Sequence, residues 1–243
     1  MTHIIAIGGG EIADGETRGI DRRIVAAADG STPTALFVPT ASGDARGYRE
    51  TFHDYYGGEL GCETEVLRLV DDPDDDAAIE RKIAAADLVY VGGGDTLSML
   101  DRWRERGVDE RLRRAAEDGT VVAGLSAGAL CWFEGGLSDA HPDEKYAPLE
   151  ALGWVGGLRF TPHAVPERRR AFADALRGTG ATGLALTDCA AIEVRDGKYR
   201  ILTDDDDATA YLLADLGDRV VCERVAGTSF RPLADLGYRF GAD

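Results

Sequence analysis

The chain has 243 residues and sets 27 lysines and arginines against 44 aspartates and glutamates, a net charge of −17. Only Lys82, Lys145 and Lys198 are lysines, and no basic patch is available to neutralise phosphates, which argues against nucleic-acid binding. No apolar run approaches the about 20 residues that a membrane helix needs, so a membrane partner is not expected, and the length suits one domain over residues 1–243.

Short β-rich runs alternate with helical patterns from the start, the signature of a parallel sheet flanked by helices on both faces. His3–Gly8 predicts a first strand ending in Gly8-Gly9-Gly10, followed by a helix over Thr17–Ala28. Strands at Thr34–Pro39 and Thr64–Leu69 enclose a helix over Tyr48–Leu60. Asp76–Ala85 predicts a helix and Asp87–Gly92 a strand that runs into Gly92-Gly93-Gly94. The helical pattern Thr96–Ala116 carries a possible break at Gly107 and leads to the strand Thr120–Leu125.

Beyond that point the pattern is less regular. Residues 134–149 are polar and glycine-rich, which predicts a surface loop or lid. Arg159–Thr161 predicts a short strand ending at Pro162-His163, Arg168–Arg177 a helix and Gly183–Thr187 a strand. Ile192–Val194 and Tyr199–Ile201 flank Asp196-Gly197, a strong hairpin signal. Thr209–Leu213 and Arg219–Arg224 predict further antiparallel strands at one edge. The expected fold is therefore α/β, a mostly parallel sheet with an antiparallel C-terminal edge.

Two acidic runs, residues 71–76 and 204–207, read as solvated turns, because consecutive carboxylates do not converge on one ion. The four cysteines lie far apart without a CxxC pair and read as buried apolar residues rather than a metal or disulfide framework. The N-terminus lacks a charged segment followed by an apolar stretch and a cleavage site, so a cytoplasmic location is expected. The acidic, lysine-poor composition suits solubility in concentrated salt.

The densest chemical signal is Gly124-Leu125-Ser126-Ala127-Gly128, directly after an apolar run. Small residues around a serine let a strand turn sharply into a helix with the hydroxyl exposed at the corner. Such a serine needs a base and an oxyanion hole. Of four histidines, His3 begins a strand, His53 sits within a helix, His141 lies in the polar loop, and His163 ends a strand, where a base would be needed. For the acid that orients the imidazole, Asp188 at a strand end competes with Asp139 in a loop; strand-end geometry favours Asp188. Gly92–Gly94 offers unobstructed N–H groups, Gly93 and Gly94 above all, and the N–H of Ala127 offers a second donor.

These segments together resemble the peptidase S51 family, the group of peptidase E (aspartyl dipeptidase) and cyanophycinase. The resemblance runs through Ala6–Gly10, Val91–Thr96, Gly124–Ala129, Pro162-His163 and Gly183–Asp188, in the family's order and over nearly the whole chain. It implies a fold like that of class I glutamine amidotransferases, with serine in place of cysteine at the elbow. It implies Ser126 as nucleophile, His163 as base, and Gly93, Gly94 and Ala127 as oxyanion donors. Asp188 falls where the family usually carries glutamate. Asp139 matches an aspartate near the dipeptidase active site, and Arg168 is a candidate for the arginine that recognises an aspartyl carboxylate. The implied function is hydrolysis of short peptides, with cleavage after an N-terminal aspartate as one option, by a monomer or homodimer without metal or organic cofactor.

Three other readings stay open. An α/β-hydrolase esterase also uses G-x-S-x-G but wants a histidine late in the chain, and none follows His163. A non-catalytic dinucleotide-binding module fits Gly8-x-Gly10-x-x-Ala13 loosely, yet the second strand ends without the acidic residue that holds a ribose. An S51-like protein whose activity is lost or redirected to binding peptides is the last reading, against which the intact Ser126/His163 pair argues.

Overall fold

The computed structural model describes residues 2–139 and 144–238. Two sheets are formed. The larger draws on β1 (His3–Ile7), β2 (Thr34–Val38), β3 (Glu63–Val66), β4 (Leu88–Val91) and β5 (Val121–Leu125), all mutually parallel in the spatial order β1-β5-β4-β2-β3. The smaller is built on β6 (Phe133–Ser138), β7 (Ala147–Glu150), β8 (Val155–Thr161) and β9 (Thr182–Leu186), with β6-β8-β9 parallel. The chain then returns to the larger sheet. β10 (Ala190–Arg195) pairs antiparallel with β1, β11 (Lys198–Thr203) with β10, and later β14 (Arg231–Pro232) with β11. β12 (Ala210–Asp215) and β13 (Val220–Val225) instead extend the smaller sheet from β9.

The α/β class expected from the sequence is present, but its antiparallel strands close two sheets rather than one edge. Residues 133–138 and 147–150 are strands, not the surface loop or lid that their polarity predicts. The glycines there permit close backbone approach: a Cβ at Gly136 would stand 1.8 Å from the Phe160 carbonyl oxygen. Composition misled because a glycine strand pressed against its neighbour looks like a loop. His141 and the centre of that segment lie outside the described residues.

Strand alternation distributes the core. Ile4 and Ala6 face one side of β1, Ile5 and Ile7 the other. On the Ile5 side pack α1 (Arg18–Val25) and α2 (Arg46–Phe52), which continues as a π-helical segment over His53–Glu59. On the Ile4 side pack α3 (Asp76–Ala84), α4 (Thr96–Arg106) and α5 (Val108–Asp118), through Ile79, Met99, Trp103 and Leu112. The same apolar cluster continues into Phe160, Leu184 and Leu212, so the smaller sheet shares this core. Behind that sheet lies α7 (Pro166–Leu176), introduced after the short α6 (Ala127–Leu130) at the elbow. The break between α4 and α5 falls at Gly107, whose φ of +60° suits glycine.

The acidic runs are more than solvated turns. Asp71, Asp72, Asp74 and Asp76 pair with Arg49, Arg68, Lys82 and Arg106, Asp75 caps α3, and Asp204 accepts the Ile20 N–H. Of the cysteines, Cys62 and Cys131 are buried, Cys189 is partly buried and Cys222 is exposed. No helix among the described residues is long and apolar enough to cross a membrane.

Candidate active site

Ser126 leaves β5 in a sparsely populated conformation, φ 57° and ψ −111°, and α6 begins at the next residue. The turn is possible because both flanking glycines touch backbone. A Cβ at Gly124 would stand 2.1 Å from the Gly128 carbonyl oxygen, and one at Gly128 would stand 2.2 Å from that of Val91. The Ser126 N–H donates to the Ile7 carbonyl at 3.0 Å, and its own carbonyl accepts from Ala129 and Leu130. The backbone thus holds the hydroxyl at the carboxyl end of the larger sheet, where open α/β sheets place their ligands.

His163 and Asp188 come from the other sheet. β8 ends two residues before His163, and β9 ends two residues before Asp188. The parallel register Thr161–Ala185 brings both strand ends to one place. The junction between sheets is the segment Gly8-Gly9 after β1. Gly8 accepts from His163 N–H at 2.9 Å and donates to Ala190 at 2.8 Å, while Gly9 accepts from Cys189 N–H at 3.0 Å. His163 and Cys189, like Ser126, are non-glycine residues with positive φ, 47° and 58°. Strained residues of this kind persist only where surroundings over-determine them, and they cluster at functional sites.

The result is a linear relay. Ser126 Oγ lies 2.9 Å from His163 Nε2, and His163 Nδ1 lies 2.6 Å from Asp188 Oδ1. The Asp188 side chain is 57% exposed and that of His163 37%, so the carboxylate lies at the rim of the site and is not a buried charge. The other described histidines are engaged elsewhere, His3 with Glu193 and His53 with Thr64.

In front of Ser126 opens a cavity of 420 Å³ lined by Gly10, Glu11, Ile12, Tyr48, Thr51, Gly93, Leu125, Ser126 and His163. Gly93 abuts the serine: a Cβ there would be 3.4 Å from Ser126 Cβ. Its N–H donates to the Tyr48 hydroxyl at 3.4 Å. Gly94 is not among the residues lining this cavity. It packs on the Ala41 carbonyl, 2.1 Å from where a Cβ would lie, at φ +139°. Ala127 is the first residue of α6, so its N–H has no acceptor within the helix. Asp95 caps α4 through Ser98, behind the glycine turn.

Two expected substrate contacts take a different place. Arg168 is buried, at 2% exposure. Its Nε donates to Thr161 Oγ1, its Nη2 to the Leu137 carbonyl and its Nη1 to Asp139 Oδ2 at 3.0 Å, with Tyr146 stacked against the guanidinium. Neither Arg168 nor Asp139 lines the Ser126 cavity. They pair with each other and pin α7 to β6 and β8. Three consecutive arginines on a helix point in three directions, and sequence offers no means of telling which one turns inward. Arg169 is the one that reaches a second cavity, on the Asp188 side of His163, and its guanidinium stacks on Tyr211. Sequence reasoning also missed Gly9. A Cβ there would collide with Asp188 Oδ1 at 1.9 Å and His163 Nδ1 at 2.4 Å. The available signal was the unbroken run of three glycines, which a single tight turn does not require.

The profile of peptidase family S51 matches residues 4–202 of the chain. An uncharacterized peptidase of Bacillus subtilis (strain 168), YgaJ, is 34% identical over 216 residues, covering 87% of this chain and 91% of that protein. Peptidase E of Citrobacter koseri is 31% identical over 144 residues, covering 55% of this chain and 58% of that protein. Among solved structures, a peptidase from an acI-B1 Actinobacterium superposes with a TM-score of 0.69 at 18% identity, covering 96% of this chain and 97% of that one, a likeness of fold.

Proposed function

The chain belongs to peptidase family S51, and from that premise we propose that it is a serine peptidase that cleaves short peptides through an acyl-enzyme on Ser126. One observation carries the reading: the Ser126 hydroxyl and His163 Nε2 lie 2.9 Å apart at the wall of an open cavity, within the reach that proton transfer needs.

In this reading Ser126 Oγ attacks the scissile carbonyl as His163 Nε2 takes its proton. Asp188 accepts from His163 Nδ1–H and stabilises the imidazolium. The carbonyl's π pair moves to oxygen, and donors at Ala127 and beside Gly93 hold that oxyanion. The C–N bond then breaks as His163 returns the proton to the leaving amine. Water, deprotonated by the same imidazole, releases the acyl group. The chain acts as one unit, since a single apolar cluster runs through both sheets.

The cavity does not support a preference for aspartate. Glu11 is its one carboxylate, and no lysine or arginine lines it among the described residues. An aspartyl side chain bound there meets like charge. We therefore read the substrates as short peptides with a neutral or basic residue before the scissile bond.

The test is hydrolysis of a dipeptide library by the parent and by Ser126→Ala. The parent cleaves, prefers neutral or basic N-terminal residues to aspartate, and takes a fluorophosphonate label that the variant lacks. Turnover that survives Ser126→Ala overturns the assignment.

A further inference from the structure

Resting on that reading, we propose that the Tyr48 hydroxyl, rather than the Gly93 amide itself, is the second hydrogen-bond donor to the oxyanion formed on Ser126. Tyr48 stands in the first turn of α2 and lines the cavity that holds Ser126, Gly93 and His163. The Gly93 N–H is already directed at the phenol oxygen, 3.4 Å away. An oxyanion that took this N–H for itself would have to displace the phenol.

The ring is poorly placed to withdraw. It meets Phe37 edge-on, with centroids 4.9 Å apart and planes at 71°. Its Cε1 also presses on Gly92, where a Cβ would stand 2.8 Å away. Gly92 is thus the space into which the tyrosine fits. Among the described residues, Gly93 is the only hydrogen-bond partner of the hydroxyl, which leaves the phenolic hydrogen free to face the cavity. An accepted hydrogen bond from Gly93 polarises that O–H and strengthens it as a donor. Burial, with the nearby carboxylates of Glu11 and Asp21, pushes the phenol up to about 12 against the opposing effect of the Gly93 bond. The group therefore keeps its proton and donates across the neutral range.

During attack the Oγ–C bond forms, the π pair moves to the carbonyl oxygen and the Oγ proton goes to His163. Tyr48 donates a hydrogen bond to that oxygen without giving up its proton, and Ala127 N–H supplies the other. The phenol is then a catalytic residue, paired with charge that exists only in the transition state and intermediate.

Tyr48→Phe keeps the ring and its contact with Phe37 and removes the hydroxyl, which is both the donor and the acceptor of the Gly93 N–H. The expected result is a kcat lowered about 100-fold with KM changed less than about twofold. A peptide aldehyde, whose hemiacetal with Ser126 carries the oxyanion, loses affinity for the variant by the factor lost in kcat/KM. Affinity for a dipeptide product stays unchanged, which a general loosening of the cavity would not produce. An unchanged kcat sinks the proposal, as does a raised one, which would mean that the phenol obstructs the Gly93 amide. Fluorophosphonate labelling separates the two claims. A parent that labels at Ser126 and turns over, beside an undiminished Tyr48→Phe, removes the Tyr48 role alone. A parent with no Ser126-dependent turnover removes both.

Discussion

Gly9 lies directly against Asp188: a Cβ at position 9 would stand 1.9 Å from the carboxylate oxygen that accepts from His163. Glycine is needed here for space rather than for backbone freedom, since Gly9 is not among the residues with positive φ. The glycine run that suggests a nucleotide loop is instead the floor beneath an imidazole–carboxylate pair.

Gly9→Ala therefore separates activity from stability. The obstructing atoms belong to the Asp188 carboxylate and the His163 ring, so the methyl group pushes this pair aside rather than distorting the sheets. We expect kcat/KM to fall at least to the level of Asp188→Ala while the melting temperature changes by only a few degrees. The double variant Gly9→Ala/Asp188→Ala should lose no more than Gly9→Ala alone, the non-additivity expected of residues that act through one contact. Additive losses would show that Gly9 acts elsewhere.

The two aspartates weighed for the acid role are distinguished by their partners. Asp188 lies 2.6 Å from His163 Nδ1, whereas Asp139 lies 3.0 Å from Arg168 Nη1. Asp188→Asn should lower kcat by about 10³- to 10⁴-fold. Asp139→Asn should leave kcat within about threefold and lower stability by about 1 kcal/mol, because the carboxylate is half-exposed and its pairing is screened. Arg168→Met should lower stability further, by roughly 2–3 kcal/mol, by removing the guanidinium's hydrogen bonds to the Leu137 carbonyl and the Thr161 hydroxyl, which keep only the bond between each other. Neither change should alter the ranking of dipeptides. Urea melts and steady-state rates decide, and a changed ranking would return Arg168 to the substrate.

A buried acid near the site sets a pH dependence of stability. Asp21 is fully buried and accepts hydrogen bonds from Thr17 and Tyr56, each at 2.8 Å. Burial raises its carboxyl from 3.8 to about 6; the hydrogen bonds from Tyr56 and Thr17 oppose this and Asp204 adds to it. The folded protein therefore holds this proton more tightly than the unfolded chain. The contribution is fully present below about 3.8 and is lost as pH rises through about 6, a difference of roughly 3 kcal/mol. Asp21→Asn mimics the protonated acid, so it should stabilise the protein at pH 7.5 and much less at pH 4.5. Chemical denaturation at both values checks this, and equal effects at both would refute it.

The sequence by itself determined what depends on neighbours along the chain. Short apolar runs, most ending in glycine or proline, placed β1, β2, β4 and β5 to within about one residue at each end, and Gly107 marked the break between two helices. Asp196-Gly197, with φ of 51° and 71°, announced a hairpin because few residues tolerate that turn. The elbow at Ser126 was legible for the same reason, since its flanking glycines serve contacts within a few residues or with the adjoining strand. The tertiary structure alone decided that β8 and β9 belong to a second sheet, that their ends carry His163 and Asp188 to a serine on the first, and that Gly9 lies beneath them. It alone turned Arg168 inward and set Tyr48 beside Gly93. These relationships join residues tens to more than a hundred positions apart, and they follow from how two sheets share one apolar core, which no local pattern of side chains encodes.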